Sequence, residues 1–201
     1  MSKPRRDRKR KPSRRKPFRE TMPLILIVCE GKRTEPDYFK GLIRIVRNPR
    51  VKIEIADVQG VPLTLVRAAK KLKDGNPDFD SVWCVSDVDE HPLAEAVQMA
   101  RDNGIRLAIS NPCFELWLLL HFRDSPGMKH GGKIVGMLKE FIPGYKKVIN
   151  FAKLKLADGY DAAVQRAKRI HASMKLAGDE MRNPSTGVYR LTELMHSRCE
   201  D

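Results

Sequence analysis

The sequence has few cysteines, few aromatic residues and no long apolar run near its start. Its four cysteines form no C-x-x-C pair, which argues against a zinc site and suits a reducing compartment. Aromatic residues make up only 6% of the chain, so no platform for stacking unpaired bases is visible. The apolar run 24–29 is too short for a membrane span or a secretory leader. These absences predict a cytoplasmic protein with no membrane partner.

Positive charge is abundant and unevenly placed. The net charge is +14, and residues 1–20 hold eleven Lys or Arg against two acidic residues, so this segment carries +9 and the rest +5. We predict that residues 1–20 form a disordered basic tail. Such a tail is a solubilising arm, a localisation signal in a eukaryotic source, or an arm that lies along nucleic-acid phosphates.

Short apolar runs alternate with amphipathic segments over residues 21–123. The predicted strands are 24–29, 51–58, 81–86 and 106–110, and the predicted helices are 34–46, 65–72, 93–100 and 114–122. Continuous apolar strands are typical of parallel sheets that helices cover on both faces, while the partial alternation in 51–58 favours an edge strand. We therefore predict an α/β core with a parallel sheet of about four strands flanked by helices.

Residues 124–201 are predicted to form a loop and a helical C-terminal extension. The segment 124–150 contains five glycines and two prolines, which favours a loop with one short helix near 134–141. Apolar residues at helical spacing predict further helices over 160–176 and 188–197.

Four acidic residues fall at or just beyond the predicted carboxyl ends of strands. Glu30 follows the first strand, Asp87 and Asp89 follow the third, and Glu115 comes one turn after the fourth. Parallel α/β sheets bind ligands at this edge, and crowded carboxylates repel each other unless a cation neutralises them. Carboxylate oxygens suit Mg²⁺, with Mn²⁺ as an alternative, so we predict a metal centre here. The competing interpretations are that the Asp pair caps a turn and that Glu115 is a solvated or capping position.

Other polar residues lie near this predicted centre. Lys32 and Arg33 follow Glu30 and could grip a phosphate, or belong to a solvated loop. His91 could donate a proton to a leaving group, or be an ordinary loop histidine. Asn111, at the end of the fourth strand, could orient a phosphate or a water. Tyr38 lies on the apolar face of the first helix, so the nucleophile is predicted to be water.

Several motifs occur in order along the chain and together resemble one family. They are Ile27-Val28-Cys29-Glu30-Gly31 with Thr34-Glu35-Pro36 and Tyr38-Phe39, then Ser86-Asp87-Val88-Asp89-Glu90, then the run from Ser110-Asn111-Pro112-Cys113-Phe114-Glu115 through Phe122, and finally Asn183-Pro184-Ser185-Thr186. This set, over about residues 22–195, resembles the RloB family. The resemblance implies a Toprim-like fold, in which one Glu and a D-x-D pair correspond to Glu30, Asp87 and Asp89. It also implies a role in bacterial anti-phage defence, beside an ATPase partner protein.

The sequence thus predicts a Mg²⁺-dependent nuclease that hydrolyses phosphodiester bonds of RNA, including tRNA, or of DNA. One alternative is a basic nucleic-acid-binding module without catalysis. The other is a phosphatase of the haloacid dehalogenase type, whose motif resembles Asp87-Val88-Asp89 but normally follows the first strand and continues into Thr or Val rather than Glu-His. Sequence reasoning leaves the oligomeric state and the cleavage position open.

Overall fold

A computed structural model describes residues 23–47, 51–55, 62–88, 93–151, 156, 158–177, 179 and 181–196. Its strands are β1 (Ile25–Cys29), β2 (Val51–Ile55), β3 (Ser81–Asp87), β4 (Arg106–Asn111) and β5 (Ser185–Thr186). Its helices are α1 (Thr34–Val46), α2 (Pro62–Gly75), α3 (Ala94–Asp102), α4 (Glu115–Leu120), α5 (Gly131–Phe141), α6 (Tyr160–Leu176) and α7 (Val188–His196). The predicted tail 1–20 lies outside the described residues.

The strands form one sheet in the order β2-β1-β3-β4-β5. The first four are parallel, as predicted, and β2 occupies the predicted edge position. Every residue of β1 is buried, with Ile25 and Ile27 facing one apolar core while Leu26 and Val28 face another. Alternate side chains of a strand point to opposite faces of the sheet, so a continuous apolar run is what a centrally placed, doubly covered strand requires.

The sheet has a fifth strand that the prediction of about four strands did not include. Strand β5 pairs antiparallel with β4, and its two residues match Ser110 with Thr186 and Asn111 with Ser185. Two residues are too few to carry the alternation by which a strand is recognised. The predicted residues 56–58 of the second strand lie outside the described part of the chain.

The predicted C-terminal extension shares its core with the sheet. Apolar residues of α5, α6 and α7 join those of α1 and α4 on one face, while α2 and α3 cover the other. The three predicted helices are present, although α5 begins three residues before the predicted position and Ser197 lies outside the described residues. None of the described helices has the length and apolarity needed to cross a membrane.

Candidate active site

The carboxyl ends of β1 and β3 bring Glu30 and Asp87 together. The strands are parallel neighbours in which Cys29 matches Val85, and the backbone N–H of Glu30 donates to the Val85 carbonyl at 3.1 Å. Asp87 is the last residue of β3. Because parallel strands end at the same edge of a sheet, both carboxylates face one cavity of about 410 Å³.

The cavity is lined by acidic side chains and by cationic ones. Its lining residues are Glu30, Gly31, Lys32, Arg33, Thr34, Glu35, Asp87, Phe114, Glu115 and Lys147. Five of the sequence-predicted candidates therefore lie together: the carboxylates of Glu30, Asp87 and Glu115, and the cations Lys32 and Arg33. The structure adds one more acid, Glu35, and one more cation, Lys147.

Three other candidates are not among these lining residues. Asp89 and His91 lie outside the described residues, so their roles stay predictions. Asn111 is not among the lining residues, and its side-chain amide donates to the Met181 carbonyl at 2.8 Å. That hydrogen bond attaches the C-terminal segment to the end of β4, which is a structural role for an amide that was predicted to orient a phosphate or a water.

The surroundings of Asp87 strongly perturb its carboxyl group. Burial first, and then the negative charges of Glu35, Glu115 and Glu30, raise its pKa to about 8, although a hydrogen bond from the Phe114 backbone acts in the opposite direction. Its Oδ1 atom is buried and has no hydrogen-bond partner among the described residues. A buried carboxylate oxygen without a partner is costly, so Asp87 favours either a proton or a bound cation.

Glu35 is an acidic residue to which sequence reasoning gave no function. It lies in the first turn of α1 but is only 7% exposed. Burial raises the pKa of Glu35, and the negative charges of Glu115 and Glu30 raise it further. The nearby ammonium of Lys147 has the opposite effect. A Cβ atom at Gly31 would overlap the Glu35 carboxylate, so only a residue without a side chain leaves room for Glu35 here. Glutamate in a first helical turn is ordinarily solvated, which explains why the pattern gave no signal.

Glu115 is buried, which excludes the solvated interpretation considered for it. It is the first residue of α4 and only 4% exposed, and its Oε1 accepts a hydrogen bond from the Tyr145 hydroxyl at 3.0 Å. That hydroxyl lies 3.4 Å from Thr34 Oγ1, which itself donates to the Lys147 carbonyl at 3.0 Å. These contacts join the start of α1, the start of α4 and the loop after α5 around the cavity.

Thr34 stands where a helix-capping hydroxyl is typical, but it does not cap helix α1. The N-cap residue is Arg33, no side chain caps the helix, and Thr34 is already helical. The Thr34 hydroxyl instead donates a hydrogen bond to the Lys147 carbonyl, more than one hundred residues away in the chain. A hydroxyl that follows a loop at a helix start is a typical cap, and only the tertiary contact redirects it.

Tyr38 and His121 lie away from the cavity, as core residues. The Tyr38 side chain is fully buried, and its hydroxyl lies 3.4 Å from His121 Nε2. Burial lowers the pKa of His121 to about 4, so the imidazole is neutral near pH 7, and its Nδ1 donates to the Trp117 carbonyl at 3.0 Å. The expectation that Tyr38 is a core residue is confirmed.

The donor atoms of the cavity fit a hard cation such as Mg²⁺. Within the described ranges, no cluster of three or more His, Cys, Asp or Glu side chains is arranged to hold a metal by itself. Mg²⁺ does not require one, because it keeps several waters and binds through one or two carboxylates plus substrate phosphates. Asp87 Oδ1, which has no hydrogen-bond partner within the described ranges, and the half-buried Glu30 are oxygen donors of that type.

Comparison with known proteins gives a match to one family. A model of the RloB-like protein family matches residues 25–195, which include every described strand and all but the last residue of the final helix. No match was found among curated proteins or among solved structures. The matched range also contains the cavity and all of its lining residues. The chain therefore belongs to the RloB family.

Proposed function

We propose that this protein is a Toprim-type, Mg²⁺-dependent nuclease that hydrolyses phosphodiester bonds of RNA or DNA. The observation that carries the proposal is Asp87. This carboxylate stands at the carboxyl edge of a parallel sheet, in a cavity that three other carboxylates share, and one of its oxygens is buried without a hydrogen-bond partner in the described part of the chain. Such an arrangement is electrostatically unfavourable until a cation binds, and perturbed acids in a cleft are typical of active sites.

The metal-holding role falls to Asp87 and Glu30, with Asp89 as the proposed further ligand. When bound, Mg²⁺ supplies positive charge that stabilises the charge developing on the phosphate oxygens. Glu30 is half-buried and lines the cavity, so its carboxylate can reach a water there. Glu30 is therefore proposed to take the proton of the attacking water, or to help hold a second metal.

The substrate proposal comes from the cationic side of the cavity. Lys32 and Arg33, two and three residues after Glu30, are exposed and line the cavity. Exposed cations beside carboxylates can hold a polyanionic backbone while the acids carry the metal. Family membership supports the further proposal of a role in bacterial anti-phage defence beside an ATPase partner.

The test is incubation of the purified protein with mixed tRNA, single-stranded DNA and plasmid, each with Mg²⁺, Mn²⁺ or EDTA. We expect metal-dependent cleavage of at least one substrate by the wild type, and strongly reduced cleavage by Glu30→Gln and by Asp87→Asn. Glu140→Gln is the matched control, because Glu140 is an exposed acid on α5 outside the cavity.

Two results would contradict the proposal. Nucleic-acid binding that is unchanged by EDTA, with no cleavage under any condition, would indicate a binding module. Hydrolysis of p-nitrophenyl phosphate without nucleic-acid cleavage would indicate a phosphatase.

A further inference from the structure

Lys147 lines the cavity, although it belongs to a segment in which no sequence motif indicated a functional residue. It lies in the loop after α5, whereas the other lining residues belong to the ends of β1 and β3 and to the starts of α1 and α4. Its side chain is exposed, and its backbone has φ 57°, the left-handed region that a non-glycine residue adopts rarely. Residues held in such conformations are concentrated at functional sites, which makes Lys147 worth explaining.

The loop is held in place by hydrogen bonds at this residue and at a residue just before it. Thr34 Oγ1 donates to the Lys147 carbonyl at 3.0 Å, and two residues earlier the buried Tyr145 donates to Glu115 Oε1 at 3.0 Å. Both anchors are themselves residues at the start of a helix beside the cavity. The backbone of Lys147 is therefore positioned by the acidic site, while its ammonium group remains at the surface.

The charge of Lys147 affects the pKa of an acid in the site, but its ammonium group forms no ion pair among the described residues. It lowers the pKa of Glu35, but burial and the other carboxylates outweigh it and the net shift of Glu35 is upward. The ion pairs found in the described part of the chain do not include Lys147. An exposed ammonium at an acidic cavity, with no direct carboxylate partner among the residues that the structure describes, is available to an anion from outside.

We propose that Lys147 contacts a backbone phosphate of the nucleic-acid substrate, and that Thr34 and Tyr145 are positioning residues for it. The inference rests on the proposed function and adds a third cation, from a separate loop, to Lys32 and Arg33. A strand held by cations of both loops would lie at the cavity that the carboxylates line. Lysine acts here as a point charge, so the contact favours phosphate without reading base sequence.

The chain provides a matched control in Lys146, the neighbouring exposed lysine, which does not line the cavity. Fluorescence anisotropy would measure the affinity of Lys147→Gln, Lys146→Gln and Lys147→Arg for labelled mixed tRNA and for a labelled single-stranded oligodeoxynucleotide. Ca²⁺ would replace Mg²⁺ to suppress cleavage, and salt would be varied. We expect Lys147→Gln to bind about fivefold more weakly and to lower the slope of log affinity against log salt by about 1. Lys146→Gln should change neither, and Lys147→Arg should retain most of the affinity.

Thr34→Val tests the positioning role, since it keeps the charge of Lys147 and removes the hydroxyl that holds its backbone. We expect a smaller loss of affinity with the salt slope unchanged, because the ammonium group is still present but less well placed. Equal loss of affinity and slope in Thr34→Val and in Lys147→Gln would contradict the assignment of distinct roles.

The outcomes separate this inference from the proposed function. If the wild type cleaves and Lys147→Gln binds like Lys146→Gln, the phosphate contact is wrong while the nuclease stands. If the wild type binds but never cleaves, the nuclease is wrong, and a selective loss in Lys147→Gln still supports the contact. If Lys147→Gln changes only the pH dependence of thermal stability, Lys147 is a counterion of Glu35 and the inference fails. Absence of nucleic-acid binding by the wild type would overturn both.

Discussion

Asp87→Asn should stabilise the metal-free protein at neutral and alkaline pH. The pKa of Asp87 lies at about 8 in the folded state and at 3.8 in the absence of the fold. Below pH 4 the carboxyl group is protonated in both states, so an uncharged Asn changes little. Above pH 4 the unfolded chain releases a proton that the folded protein retains, and the wild type loses stability progressively until about pH 8. The stabilisation by Asn should therefore grow between these limits and then become constant.

The size of the effect follows from the same shift. A difference of about four pKa units, at ~1.4 kcal/mol per unit, sets a ceiling of about 6 kcal/mol. Two terms reduce it: water in the open cavity screens the charges, and the Asn amide places a buried N–H where Asp87 Oδ1 has no described partner. We therefore expect about 2–3 kcal/mol at pH 8, which for a chain of this size raises Tm by about 4–12 °C.

The assay is thermal unfolding in EDTA between pH 4 and pH 8.5, with Asp78→Asn as a control because Asp78 is an exposed acid outside the cavity. Mg²⁺ should raise Tm of the wild type and not of Asp87→Asn, since a ligand that binds only the folded state stabilises it by mass action. A gain of equal size at pH 4 and pH 8 would mean that packing, and not charge, is responsible. A loss of stability at pH 8 would refute the reasoning altogether.

Three further predictions concern the loop after β1 and the tail. Glu30→Gln should lower the single-turnover cleavage rate by about 10²-fold with substrate affinity retained; full recovery at high Mg²⁺ would make Glu30 an ordinary ligand. Gly31→Ala should displace Glu35 and weaken Mg²⁺-dependent stabilisation, whereas Gly136→Ala, with open space around it in α5, should leave metal response unchanged; equal Tm shifts with Mg²⁺ in both would contradict this. Deleting residues 1–19 should flatten the salt dependence of nucleic-acid binding and leave the rate at saturating substrate unchanged; an unaltered salt slope would assign the tail to solubility or targeting.

Much of the α/β core could be predicted from the sequence because its signals are local. A five-residue apolar run that is buried on both faces must be a central strand, and the acid that follows it must lie at the carboxyl edge. The order of strands and acids along the chain is therefore enough to predict that Glu30 and Asp87 meet. Helix α6 was likewise marked by its own amphipathic spacing.

Only the tertiary structure decided which other residues complete the cavity. Nothing local distinguishes Glu35 from a solvated helix-start acid, or Lys147 from the lysine beside it; burial and the loop after α5 make the difference. Thr34 had a sound local explanation as a cap, and a hydrogen bond to Lys147 replaced it. Strand β5 is too short to show the alternation of a strand in its sequence, and it forms because it pairs with the free edge of β4. Periodicity records which side of an element is buried, whereas contacts between distant segments depend on how those buried sides pack together.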